Sequence, residues 1–146
     1  MRILLRIGLA SLAATELGLG LWTALFPRSF YDNFPTVNLT PPFSEHFLRD
    51  FGGATLGIAV VLVAAIIWPQ TKLVIVALAA YLAFAGPHLA FHAGHLDGAT
   101  GLQATVLVSV LASWVVIPLL LIWLAIALEL RARRGLARRN TPRTTQ

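Results

Sequence analysis

The chain has 146 residues, no cysteine and a formal net charge of +5. Hydrophobic residues make up 58% and charged residues 12%, against roughly 45–50% and about 25% in ordinary soluble domains. This balance excludes a soluble globular enzyme, a disordered chain and a disulfide-stapled secreted module, and the missing thiols exclude Fe–S and thiolate-metal chemistry. What remains is a single-domain integral membrane protein.

Four stretches reach the roughly 20 apolar residues that a spanning helix needs. The first runs over about 3–26 and is interrupted only by Arg6 and Glu16. It continues past Glu16 without a small-residue cleavage site before polar sequence, so it reads as a retained helix rather than a signal peptide. The second covers about 46–68, the third about 73–95 and the fourth about 104–128. Pro27, the Pro41-Pro42 pair, Pro69 and Asp97-Gly98 fall between them and mark turns. Gly53 and Gly57 form a GxxxG in the second span, and Gly18 and Gly20 thin the first. Both predict close helix approach. Pro87 and Pro118 interrupt the third and fourth spans.

The basic residues set the direction. Arg2, Arg6, Lys72, Arg131, Arg133, Arg134, Arg138, Arg139 and Arg143 lie at the N-terminus, the second connection and the tail. Only Arg28 and Arg49 lie on the other side. The positive-inside rule then predicts both termini in the cytoplasm. The fold expected is all-α: a polytopic four-transmembrane-helix bundle, N-in/C-in, over 1–130, with a basic cytoplasmic tail over 131–146. A sequence pI near 11.1 would suggest nucleic acid in a soluble protein. Here it reads as topology, with the tail disordered near anionic headgroups and no nucleic-acid partner.

Ionisable groups in spans are costly and mark function. The richest cluster is Pro87-His88-Leu89-Ala90-Phe91-His92-Ala93-Gly94-His95. At about 100° per residue, His88, His92 and His95 would form one narrow stripe rising about 10 Å. Such spacing lets a helix offer imidazoles to one metal ion. His46, the fourth histidine, opens the second span beside Arg49 and Asp50. His46 and Asp50 are i, i+4, and Gly53 and Gly57 continue their face. Ser44 and Glu45 suit a helix start. Glu16 stands alone near the middle of the first span, with Ala13, Gly20 and Thr23 on its face. A partner among His88, His92 and Arg49 is sterically reasonable there. Together these residues predict an outward-facing transition-metal site (Cu, Fe or Zn) with His46, His88, His92 and His95 as ligands. Glu16 or Asp50 would complete the shell or move a proton, and Arg49 would orient a carboxylate or bind an anion. A haem held by histidines from two spans is the variant of that site. The aromatic, proline-rich stretch Pro27–Phe43 would anchor at the interface or cover the site.

In size, four spans, an aromatic and proline-rich first outer loop and an acidic residue in the first span, the chain resembles the small DoxX-like bacterial membrane proteins. The likeness covers most of the chain as architecture and transfers no catalytic residue. It implies the bacterial inner membrane and a redox or accessory role. The expected function is an oxidoreductase or metal-dependent enzyme acting on a lipophilic substrate. Two alternatives stand beside it. One is a proton-coupled small-molecule carrier using Glu16. The other is a non-catalytic subunit or chaperone of a larger membrane complex. The partners expected are the lipid bilayer, a lipophilic or small-molecule ligand, and a homo-oligomer or larger membrane complex.

Overall fold

A computed structural model describes residues 2–37 and 42–139. Pro41 and Arg143 lie outside the described residues. Among the described residues, five helices follow in order: α1 (Arg2–Leu25), α2 (Pro27–Asn33), α3 (Glu45–Ile67), α4 (Thr71–Gly94) and α5 (Gly101–Arg139). Four of them, all but α2, are long and apolar enough to cross a membrane. No strand occurs among the described residues. The protein is a four-helix membrane bundle.

The helix starts follow local chemistry. The Ser44 side chain accepts the backbone N–H of Phe47 at 3.3 Å, capping α3. Pro27 opens α2 at its first helical position, where its missing N–H is not needed. The Arg28–Asp32 pair, 2.7 Å apart, adds one i, i+4 contact. Sequence reading left this stretch as a loop; Pro27 followed by that charge spacing was its helical signal. It also ended the fourth span near Leu128 and took the tail from Arg131 as disordered. Instead, α5 continues to Arg139 over 39 residues. Leu, Ala and Arg favour helix, and Arg133 holds Glu129 one turn back at 2.9 Å. At about 1.5 Å per residue, α5 is roughly 58 Å long, about twice the hydrocarbon thickness.

The helices form a ring. α1 packs chiefly on α3, α3 on α4 and α4 on α5, while α5 returns more lightly to α1. This leaves α1 and α4 on one diagonal. The core joins Leu5, Leu9, Leu12 and Ala13 of α1 to Leu62, Ala65, Val74, Ala77, Leu78, Tyr81, Ala85, Leu121 and Ala125. Many large apolar side chains, such as Val60, Leu102 and Trp123, face outward, as they do in a helix bundle whose solvent is lipid.

The closest helix approach does not use the predicted GxxxG. A methyl group on Gly53 or Gly57 would meet nothing within 4 Å. The buried stripe of α3 is Leu48, Gly52, Thr55, Ala59, Leu62 and Ala65, so Gly53 lies about 100° away from it. Gly52 is the true contact. A Cβ there would come within 2.6 Å of Ala24 N and Thr23 Oγ1 and 2.8 Å of Gly20 O. Of the two glycines expected to thin the first span, Gly20 lies in the crossing and Gly18 faces open space.

Candidate functional site

Two regions hold the expected site residues. At the end of the bundle that carries α2, a cavity of about 410 Å³ opens among all five helices, with Leu19 the contribution of α1. Its wall is overwhelmingly aromatic and aliphatic. Phe30, Phe34, Phe51, Phe84, Phe91 and Trp114 supply much of it, and His88 and His92 project from α4. The volume lies within the range of about 300–1,000 Å³ typical of small-molecule sites.

The two imidazoles are held by ring contacts. His88 stacks on Phe84 at 5.2 Å between centroids and meets His92 edge-on at 4.6 Å. Phe51 of α3 contacts Phe84 at 5.6 Å. No hydrogen bond to a described residue engages the ring nitrogens of His88 or His92. Each neutral ring therefore keeps one donor and one acceptor for a guest. Above them, Trp22, Phe30 and Phe34 form a three-ring cluster that packs α2 against the end of α1.

Of the other expected ligands, His95 is close enough to His92 to interact electrostatically but does not line the cavity, and His46 and Asp50 do not line it either. α4 ends at Gly94, and His95 is its C-cap with φ −132° and ψ 72°. The helical stripe therefore stops one residue short of His95. Its ring stacks on Phe91 at 4.1 Å, and Nδ1 meets the Phe91 carbonyl at 2.8 Å. His46 shares the outward face of α3 with Gly53 and Gly57. It pairs with Asp50 at 3.3 Å, their side chains 89% and 67% exposed. Neither residue lines the cavity, although Ser44 and Phe47 do. Among the described residues, no group of three histidine or acidic side chains is placed to hold a metal ion. Of the four expected imidazoles, His88 and His92 share the cavity wall.

Arg49 has a local task. It contacts Glu45 Oε1 at 2.8–2.9 Å and donates to the Ala24 carbonyl in the last turn of α1. A cation there complements the negative end of α1 and ties it to α3.

Glu16 lies deeper, 1% exposed. Its expected partners do not reach it: neither carboxyl oxygen has a hydrogen-bond partner, and the Tyr81 hydroxyl is likewise buried without one. Thr23 and Thr55, also buried, bond back to carbonyls of their own helices. Glu16 and Tyr81 are close enough to interact electrostatically. Leu19 and Phe84 line the cavity, and each stands three residues, about 4.5 Å of rise, beyond Glu16 or Tyr81. The pair therefore sits just under the cavity floor. Sequence reading missed Tyr81. Its signal was the spacing of seven residues from His88, which continues the histidine stripe inward.

In comparisons with known proteins, no family model matches the chain, and no curated protein or solved structure matches it either.

Proposed function

We propose that this protein binds a lipophilic small molecule in the aromatic cavity at the α2 end. The cavity itself carries the reading. It offers a large apolar wall and two imidazoles with free nitrogens, the combination that buries an apolar body while orienting one polar group. The basic asymmetry of the sequence supports placing this end on the extracytoplasmic side of a bacterial inner membrane. A metal-dependent oxidoreductase is the less favoured reading, because two adjacent imidazoles supply only part of a metal shell.

Leu107 lines the cavity from α5. A Leu107→Trp protein should bind an environment-sensitive lipophilic fluorophore about ten-fold more weakly than wild type, the equivalent of roughly 1.4 kcal/mol. Equal affinity in the two proteins, measured by fluorescence titration in the same detergent, would remove the reading.

A second reading has its own observation. The orphaned Glu16 carboxyl beneath the floor favours a carrier that moves its ligand with a proton, since intramembrane ionisable groups mark proton and substrate pathways. In liposomes, uptake driven by a pH gradient should disappear in Glu16→Gln while fluorophore binding persists. Undiminished uptake in that variant would end the carrier reading and leave the binding site standing.

A further inference from the structure

The opposite end of the bundle holds a second cleft of about 410 Å³, between α1, α4 and α5. It lies where α1 and α5 pack lightly. Exposed Ile3 and half-buried Leu128 supply the accessible apolar wall, and Arg6 and Glu129 stand in its lining. Glu129 is already engaged: Arg133 Nε donates to one carboxylate oxygen at 2.9 Å and Thr71 Oγ1 to the other at 3.1 Å. Arg6 differs. Its guanidinium has no hydrogen bond or ion pair among the described residues, although it belongs to the first turns of a spanning helix. Beside it, α4 begins at Thr71 without a side-chain cap from Gln70, so its first amides also face this end.

We propose that this cleft is a binding site for one anionic phospholipid, with an acyl chain against the apolar wall and the phosphate at Arg6. Charge decides the occupant. Glu129, the one acidic group in the cleft among the described residues, is paired with Arg133, which leaves the Arg6 cation beside the apolar side chains of Ile3 and Leu128. A basic pocket between spanning helices at a lysine- and arginine-rich end has the chemistry that holds anionic headgroups. The arginine fork suits a phosphate. A zwitterionic lipid carries a compensating cation and gains less. The site is independent of the cavity at the α2 end.

The test uses the full chain in detergent, titrated with phosphatidylglycerol, with phosphatidylcholine of the same acyl chains, and with inorganic phosphate. Native mass spectrometry should show one retained phosphatidylglycerol per chain, and melting should shift upward with that lipid more than with phosphatidylcholine. Affinity for phosphatidylglycerol should fall about five-fold in Arg6→Gln, the change expected for one basic residue at an anionic headgroup. Arg134→Gln, which removes an exposed charge of α5 outside the cleft, should leave it unchanged. Three results would each overturn the site: equal retention of the two lipids, an equal loss in Arg134→Gln, or full stabilisation by inorganic phosphate alone. The first denies charge selection, the second indicates diffuse attraction, and the third denies the acyl slot.

Discussion

Gly52→Ala should destabilise the bundle by about 2 kcal/mol, within the roughly 1–3 kcal/mol range of overpacking in closely fitted interiors. Two of the three atoms nearest the new methyl group are backbone, Ala24 N and Gly20 O. Backbone cannot turn aside as a side-chain tip can, so α1 and α3 must separate. That crossing carries the most extensive helix contact in the fold, and it positions Leu48 and Phe51 on the cavity wall. Gly53→Ala and Gly57→Ala meet open space, and alanine favours helix over glycine by roughly 0.5–1 kcal/mol. Those two variants should hold or raise stability. Unfolding of the purified proteins in one detergent ranks the three. Equal stability of Gly52→Ala and Gly53→Ala would show that the α1–α3 crossing is not built as described.

Tyr81 should divide sharply by substitution. It is wholly buried, in the core with Leu78, Ala85 and Leu121. Tyr81→Ala removes a ring from a packed centre and should cost about 3 kcal/mol, the low end of aromatic-to-alanine changes. Tyr81→Phe keeps the ring and deletes a hydroxyl that has no hydrogen-bond partner. A buried polar group without a partner is itself a cost, so this variant should be as stable as wild type or more so. Melting of both proteins provides the check. A large loss in Tyr81→Phe would mean that the hydroxyl is bound in the folded protein, with Glu16, which interacts with it electrostatically, the acceptor to test next.

The residues that make the candidate site were unevenly legible in the sequence. The inward face of Glu16 was readable, because Ala13, Gly20 and Thr23 share its helix face and all are buried. The His88–His92 contact was readable for the same reason, since four residues nearly complete one turn. His95 was not, because its place depends on where α4 stops. The stop is a backbone event that side-chain periodicity does not mark. Gly53 and Gly57 misled for another reason. A GxxxG motif states that two glycines share a face, but not which face meets a neighbour. The adjacent Gly52 stripe carries the larger side chains that fill the core, and it took the interface.

Composition and run length alone determined that this chain builds four apolar helices. A backbone in hydrocarbon must satisfy its own hydrogen bonds, and about 20 apolar residues suffice to do so across a bilayer. Which polar groups would meet was decided only by tertiary packing. The rotation of each helix is fixed by close fit against its neighbours, not by apolar burial, because lipid accepts apolar side chains as readily as the core does. That fit turned His46 and Asp50 outward, kept His88 and His92 on a cavity wall, and left Glu16 buried within electrostatic reach of Tyr81.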